Sequence, residues 1–126
     1  MLDSAPVNGW QSFLAERPIA VFATVGSDGI PHAVPVEVVV LDATPHVWIE
    51  SDSVKARNAR REGRAALIAY KGQQGVLVRG ALRFIETTDP DYPTITKRFL
   101  DKYKRDENFG NDLVIAVAPD RVTSWE

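Results

Sequence analysis

The stretch I-A-V-F-A-T-V-G-S-D-G-I-P-H-A-V-P-V, residues 19–36, decides the fold. Residues 19–25 are β-branched and apolar, as is typical of a strand. Asp28-Gly29 follows them, and an Asp-Gly pair between apolar runs is the strongest short signal for a β-hairpin, because both turn positions need a positive φ. The sequence therefore predicts an antiparallel hairpin in the first third of the chain.

The second arm of this hairpin is predicted to be a longer strand over residues 30–41. Pro31 and Pro35 lack the N–H group that a β-ladder requires, so the first half of this strand should be an edge strand or bulged. Glu37 is an acid in an otherwise apolar stretch. We expect it to face solvent, with the cofactor and a dimer interface as alternatives.

The rest of the chain continues as short strands with helices between them. Ser51-Asp52-Ser53 is typical of a helix N-cap, and Gly63 is typical of the residue that follows a helix. Hairpin signals dominate, so we expect a mainly β, antiparallel domain that closes into a β-barrel or packs as a sandwich. The other predicted strands are residues 46–50, 65–70, 76–86, 113–117 and 121–125, and the predicted helices lie around residues 10–14 and at 54–62 and 92–105.

Length and composition restrict the class of protein. The 126 residues fit a single domain, residues 1–126. There is no cysteine, which excludes a disulfide framework, a cysteine nucleophile and a thiolate metal site, and favours a reducing compartment. Residues 1–6 do not resemble a signal peptide, and the longest apolar stretch is too short to span a bilayer. We therefore expect a cytoplasmic protein with no membrane partner.

The distribution of charge favours one localised anion site. The net charge is −2, which argues against a nucleic-acid partner. Residues 55–64 nevertheless contain five cations and one acid, so this segment carries +4 and leaves −6 on the remainder. A short basic segment on an acidic protein suits a single anion better than a broad polyanion. An interaction protein whose basic helix binds nucleic acid or acidic partners is kept as an alternative.

Residues 50–64, E-S-D-S-V-K-A-R-N-A-R-R-E-G-R, carry the chemistry. The N-terminus of the predicted helix presents free N–H groups and a positive partial charge. Ser51 and Ser53 add hydroxyl donors, and Lys55 stands in the first turn, where a cation is unfavourable unless an anion lies nearby. Asn58 shares a helix face with Lys55. These features predict a phosphate site, and a solvated basic helix face is the alternative.

Two motifs are specific in combination: A-T-V-x-x-D-G-x-P-H-x-V-P-V at residues 23–36 and S-x-K-A-R-N-x-R-R at residues 53–61. With them the chain resembles the pyridoxamine 5′-phosphate oxidase-like FMN-binding split-barrel superfamily over residues 10–125. The resemblance is closest to the branch of F420- or FMN-dependent oxidoreductases. It implies a homodimeric, antiparallel split barrel that holds F420 or FMN at the dimer interface, with F420 favoured.

The resemblance also implies roles for individual residues. Ser53 and Lys55 match the family's phosphate-binding serine and lysine, and Asn58 matches a recurring asparagine. Pro35 and Val36 match the strand whose backbone lies along the isoalloxazine ring. The implied cofactor-binding set is Pro35, Val36, Ser51, Ser53, Lys55, Arg57 and Asn58.

The sequence departs from the true pyridoxamine phosphate oxidases. Val54 stands where those enzymes have an arginine, and the sequence after Asp106 lacks their Arg-x-His arrangement for the substrate phosphate. We therefore expect a different oxidoreductase, which transfers hydride to an unidentified small organic acceptor. No catalytic acid or base is evident, and none is required, because hydride chemistry belongs to the cofactor. The alternative is a non-catalytic carrier or sensor of flavin, deazaflavin or haem.

Four further polar residues are candidates for a site. His32 and His46 are the only histidines, and they lie on different predicted strands. A metal site would need carboxylates beside them, so we expect ordinary histidines on the strand surface and no metal. Arg79 and Arg83 share a strand face, where they either support an anionic cofactor tail or lie on an exposed sheet.

Overall fold

The structure is a computed structural model that describes residues 9–107 and 109–126. The segment 1–6, which was predicted not to be a signal peptide, and Asn108 of the predicted loop 106–111 lie outside the described residues. No helix in the described ranges is long and apolar enough to cross a membrane. The elements are α1 (Trp10–Ala15), β1 (Ala20–Val25), β2 (Pro31–Val36), β3 (Val38–Leu41), β4 (Thr44–Ile49), α2 (Val54–Glu62), β5 (Arg64–Lys71), β6 (Gln74–Glu86), α3 (Tyr92–Tyr103), β7 (Leu113–Val117) and β8 (Arg121–Trp125).

The strands form one curled antiparallel sheet. Seven strands lie side by side in the order β2-β1-β5-β6-β7-β4-β3. The eighth strand, β8, pairs with β6 outside this order. The long strand β6 pairs with β5 and β8 along its first part and with β7 along its last part. The prediction of a mainly β, antiparallel fold is confirmed, and the fold is a curled half-barrel with short helices. β2 lies at an edge of the sheet, as its two prolines predicted.

Two hydrophobic cores hold the fold together. The larger core fills the inside of the curled sheet, and α2 closes it with the buried Ala56 and Ala59. The smaller core lies between α3 and the outer face of the sheet, where Trp48 packs on Phe99 with ring centroids 5.5 Å apart. The largest fully buried side chains of the inner core include Leu14, Phe22, Ile49, Leu67, Leu113 and Ile115.

The first hairpin is confirmed, but its predicted turn type is wrong. The connection covers residues 26–30, and within it Gly29 has a positive φ of 82° whereas Asp28 does not. The Asp28 carboxylate instead accepts a hydrogen bond from the Ile30 N–H at 3.0 Å. The aspartate therefore stabilises a longer loop through its side chain.

The prediction of one strand over residues 30–41 is also wrong, because the chain changes strand partner at Glu37. β2 pairs with β1, whereas β3 pairs with β4. The Val38 N–H donates to the Tyr103 hydroxyl at 2.9 Å, which takes it out of the ladder between strands. A contact with a distant helix thus overrides an uninterrupted run of strand-forming residues.

Glu37 does not face solvent as expected. Its carboxylate lies 2.7 Å from the Arg105 guanidinium, and both side chains are mostly buried. Burial raises the pKa of Glu37, and the neighbouring Arg105 opposes this rise. The Arg105 guanidinium lies over the rings of Trp48 and Phe109, 5.0 and 5.3 Å from their centroids. The ion pair therefore fixes the β2–β3 junction against the end of α3.

The last turn of α3 binds the same junction through Lys102. Its ammonium donates to the carbonyl oxygens of Arg17 at 2.7 Å and Val38 at 2.6 Å. Burial of the ammonium, together with the nearby Arg17 guanidinium, lowers the pKa of Lys102 to about 8. α3 ends at Tyr103, two residues earlier than predicted, because Lys104 adopts a left-handed φ of 56°.

The β3–β4 connection is a two-residue turn in which Asp42 and Ala43 have φ values of 51° and 62°. Two consecutive positive φ values are typical of a type I′ hairpin, which favours asparagine and glycine. β4 consequently begins at Thr44, two residues before its predicted start. Alanine in this conformation costs roughly 1–2 kcal/mol.

We expect Ala43→Gly to increase the free energy of unfolding by about 0.5–1 kcal/mol. Relief of the left-handed strain exceeds the entropy that glycine loses on folding, which is about 0.5–1 kcal/mol. Urea denaturation followed by circular dichroism measures the difference. Ala33→Gly in the regular strand β2 is the matched control and should decrease stability by about 0.5–1 kcal/mol. Equal destabilisation by both changes would contradict the strain at residue 43.

Lys102 should make stability depend on pH above neutrality. The pKa of Lys102 is about 8 in the folded protein and near 10.5 in its ordinary state, so between these values the unfolded chain binds more protons and stability rises with pH. We expect the stability of the wild type relative to Lys102→Met to increase from pH 8 to pH 10 in urea titrations. Lys97→Met, on an exposed part of the same helix, is the control. If the stability difference from the wild type changed with pH in the same way for both variants, the lowered pKa of Lys102 would be refuted.

Candidate functional site

The candidate site begins at the N-terminus of α2, which occupies the predicted residues 54–62. The Ser53 hydroxyl accepts a hydrogen bond from the Ala56 N–H at 3.2 Å and donates to the Glu50 carbonyl at 2.7 Å. Gly63 ends the helix with a φ of 73°, as predicted. The N–H groups of the first turn have no partner within the helix, so the capped end can still receive an anion.

Lys55 lies in this first turn and is mostly buried, with 19% of its side chain exposed. Its ammonium is 3.4 Å from the carboxylate of Glu50, whose side chain is 47% exposed. This ion pair is long for a charge-assisted hydrogen bond, which is normally about 2.7–2.9 Å. The geometry leaves Lys55 able to exchange Glu50 for a stronger anion at the end of the helix.

Ser51 is held by a residue that the sequence analysis missed. The Ser51 N–H and hydroxyl donate to the two carboxylate oxygens of Asp112 at 2.6 and 2.9 Å. Asp112 stands directly before β7, which pairs with β4, so the sheet brings it to the start of the α2 segment. No local pattern indicates this contact, because the two residues are 61 positions apart.

Asn58 lies on the side of α2 that packs against β1. It is 4% exposed, and its amide donates to the Thr24 hydroxyl at 3.1 Å. Its amide oxygen accepts a hydrogen bond from Arg61 at 3.1 Å. Asn58 therefore anchors the helix to the sheet, while Lys55 binds Glu50. Thr24 and Arg61 are further site residues that the sequence analysis missed.

The other cations of α2 also make contacts within the protein. Arg57 donates to the Asp52 carbonyl at 2.6 Å. Arg60 binds Glu86 at 2.8 Å, and Arg61 donates to the Val25 carbonyl. Much of the basic segment thus ties α2 to the sheet and to the preceding turn, and Lys55 is left as the cation in the first turn of the helix.

Pro35 and Val36 lie at the end of the edge strand β2. Pro35 is exposed, whereas Val36 is buried and belongs to the inner core. They pair with Val21 and Ala20 of β1. Among the described residues, no hydrogen bond connects them to the α2 segment. The predicted site residues therefore lie in two places. Pro35 and Val36 lie on the edge strand β2, and the other predicted residues lie on α2 or in the turn before it.

One cleft borders α2, and a second lies on the sheet near Arg64, just after the end of this helix. One of about 250 Å³ lies between α2, at Val54 and Asn58, and the β1–β2 loop, and His32 lines it. The other, of about 330 Å³, lies on the outer face of β1, β5 and β6, with Arg64 and Arg79 beside an apolar floor. Each is large enough for part of a planar ligand.

His46 differs from expectation, whereas Arg83 is exposed on the sheet, which was one of its two predicted positions. His46 is 6% exposed, so its prediction as a surface histidine is wrong: it lies between Val39 and Ala116 on neighbouring strands. Arg83 binds Asp91 at 3.3 Å and Asp89 at 3.5 Å. Within residues 9–107 and 109–126, no group of three or more histidine or acidic side chains is arranged to hold a metal ion.

Comparison with solved structures supports the fold. A conserved hypothetical protein of Mycobacterium tuberculosis superposes with a TM-score of 0.79 at 20% identity, covering 100% of this chain and 88% of that one. A protein named F420 reductase gives a TM-score of 0.74 at 21% identity, with coverages of 93% and 98%. The haem storage protein HutZ of Vibrio cholerae gives 0.73 at 14% identity, with coverages of 90% and 89%.

Comparison of the sequence itself gives the family. No curated protein sequence matches the chain. The family model described as pyridoxamine 5′-phosphate oxidase matches residues 9–126, which includes both motifs, the whole curled sheet and α2. The chain therefore belongs to the pyridoxamine 5′-phosphate oxidase family and has its split-barrel fold.

Proposed function

We propose that this protein is an oxidoreductase that binds F420, in preference to FMN, by its phosphate at the N-terminus of α2 and delivers hydride to a small organic acceptor. The observation that carries the proposal is the position of Lys55. It is a largely buried cation in the first turn of a helix, where the helix dipole alone disfavours it. A phosphate at that position would compensate both the ammonium and the free N–H groups.

The residues present fit a phosphate group. Ser53 fixes the first turn through its cap, so the free N–H groups are already oriented before a ligand arrives. The serine hydroxyls already donate within the protein, Ser51 to Asp112 and Ser53 to the Glu50 carbonyl, so the phosphate would be bound by the helix N–H groups and Lys55. Glu50 is the unfavourable neighbour, but it is half exposed and can turn to solvent when Lys55 binds a doubly charged phosphate.

The ring of the cofactor would lie along Pro35 and Val36, as the family resemblance implies. When bound, a deazaflavin supplies hydride, whereas FMN also supplies single electrons. The preference for F420 rests on the motifs of the sequence, and the similarity to an F420 reductase structure is in keeping with it. The protein's part is to bind and orient the cofactor.

Oxidation of vitamin B6 is not part of the proposal, although the family bears that name. Val54 replaces the arginine that precedes the lysine in those enzymes. Val54 is exposed on α2 and offers no charge to a phosphate. The absence of cysteine supports a cytoplasmic, reducing location.

A non-catalytic carrier is the second candidate function. The fold is shared with a haem storage protein of Vibrio cholerae and a haem-binding protein of Mycobacterium smegmatis. In such a carrier, flavin, deazaflavin or haem would bind without turnover. Titration with each ligand, followed by an assay with chemically reduced cofactor, distinguishes carriage from catalysis.

We also propose that the working form is a homodimer. The outer face of β1, β2 and β5 carries apolar side chains, and no helix among the described residues covers it, in contrast to the face beneath α3. Val25 is 43% exposed and Tyr70 is 68% exposed on this face. A second copy can cover such a surface by twofold symmetry, because the same patch meets itself. The 330 Å³ cleft beside Arg64 would then lie at the interface.

We expect Lys55→Ala to weaken the binding of F420 by about 1.5–3 kcal/mol, the value of a charge-assisted hydrogen bond. Titration of the apoprotein with F420 and with FMN, followed by tryptophan fluorescence, gives both affinities. Lys71→Ala, an exposed lysine at the end of β5, is the matched control and should bind as the wild type does. Unchanged affinity in Lys55→Ala would remove this residue from the site, and tighter binding of FMN than of F420 would reverse the cofactor preference.

We expect the wild type to have twice the chain mass of 13.9 kDa in light scattering, and Val25→Lys to give the monomer. The new lysine would place a charge in an apolar interface close to Arg64 and Arg79. Thr94→Lys, at an exposed position of α3, is the control and should remain a dimer. A monomeric wild type at micromolar concentration would disprove the dimer, and a dimeric Val25→Lys would place the interface elsewhere.

A further inference from the structure

A third cleft lies at the other end of β4 from α2. It has a volume of about 430 Å³, which is within the range of sites for small molecules. Leu41, Leu82, Ala116 and Pro119 provide an apolar floor, and Thr44, His46 and Arg83 provide polar groups. Neither the α2 segment nor Pro35 and Val36 line it, so it is separate from the proposed cofactor site.

His46 presents a hydrogen-bond acceptor at this cleft. Its Nδ1 is 2.8 Å from the Thr44 carbonyl oxygen, and because a carbonyl only accepts, Nδ1 carries the proton and Nε2 has the lone pair. Burial lowers the pKa of His46, which favours the neutral ring; the nearby Arg83 adds to this effect, and the hydrogen bond to Thr44 opposes it. No described residue forms a hydrogen bond with Nε2.

Arg83 provides donors on the opposite side. The register places Arg83, Ala116 and His46 in one row across β6, β7 and β4. Neighbouring strands are about 4.8 Å apart, so the backbones that carry Arg83 and His46 are separated by roughly 10 Å. Ala116 lies between them and lines the cleft with them. A planar ring in the cleft can therefore reach an acceptor on one side and a donor on the other.

The charge of the cleft selects a neutral ligand. The carboxylates of Asp89 and Asp91 lie within 3.5 Å of the Arg83 guanidinium and offset its charge. Asp42 adds a further acid at the rim. An anion would meet this excess of negative charge, whereas a neutral ring with an N–H and a carbonyl group meets complementary partners.

We propose that this cleft binds a neutral, planar cyclic amide or imide of the uracil type, whose N–H donates to Nε2 of His46 and whose carbonyl accepts from Arg83. The apolar floor receives the face of the ring. The site requires neither the cofactor nor the α2 segment, so its test is independent of the proposed oxidoreductase activity.

The test uses the two histidines of the chain. Protein labelled with ¹⁵N-histidine is titrated with uracil, and the imidazole nitrogens are followed by long-range ¹H–¹⁵N spectra at pH 7. We expect uracil to shift the unprotonated nitrogen of His46, with His32 unchanged as the internal reference. The matched ligand 1,3-dimethyluracil keeps the ring and both carbonyls but has no N–H, and it should bind roughly 3- to 10-fold more weakly, the value of one hydrogen bond.

Variants add a second measurement. Arg83→Gln, at a side chain that is more than half exposed, should keep the fold and weaken uracil binding, whereas Arg121→Gln on β8 is the control and should not. Uracil that leaves His46 unshifted at millimolar concentration, equal binding of 1,3-dimethyluracil, or wild-type binding by Arg83→Gln would each overturn the proposal. The comparison of the two ligands on the wild-type protein does not depend on any variant folding.

Discussion

The barrel depends on the close approach of two backbones at Gly80. A Cβ atom at this position would overlap the carbonyl of Ala118, so only glycine allows β6 to lie this close to the β7–β8 connection. Ala81 then exchanges hydrogen bonds with this connection: its N–H donates to Asp120 at 2.9 Å, and its carbonyl accepts from the Ala118 N–H at 2.9 Å. The contact lets β6 pair with β5 and β8 along its first part and with β7 along its last part.

This shared strand also positions the other elements. The first part of β6 pairs with β5, which directly follows the C-cap of α2, and the last part pairs with β7, which follows Asp112. Asp112 holds Ser51 at the other end of the helix, so α2 is fixed at its two ends by strands that pair with different parts of β6. The proposed anion site at α2 therefore depends on the sheet as a whole rather than on one short segment.

The features that could be predicted from the sequence are those encoded by neighbouring residues. α2 begins and ends where Ser53 and Gly63 indicated, and β7 and β8 have their predicted bounds on either side of Pro119. The features that could not be predicted depend on distant partners. Glu37 leaves the strand because of Arg105, which is 68 residues away, and Ser51 is bound by Asp112. In both cases a buried polar group must find a partner, and local periodicity does not contain that partner.

The basic segment is also an exposed charged surface. Four of its five cations are exposed, namely Arg57, Arg60, Arg61 and Arg64, and Arg60 and Arg61 bind Glu86 and the Val25 carbonyl as well. Surface pairs of this kind contribute little free energy, so their main effect is to orient the helix. Lys55, by contrast, lies in the first turn of α2 and is mostly buried.

β4 separates the two ligand sites that we propose. His46 and Thr44 lie near its start, and Ile49 leads to Ser51 at its end. The seven steps along the chain from Thr44 to Ser51 span roughly 20–23 Å at the rise of a strand, which is too far for one small ligand to bridge. The two sites can therefore be occupied together, and binding at one is not expected to displace a ligand from the other.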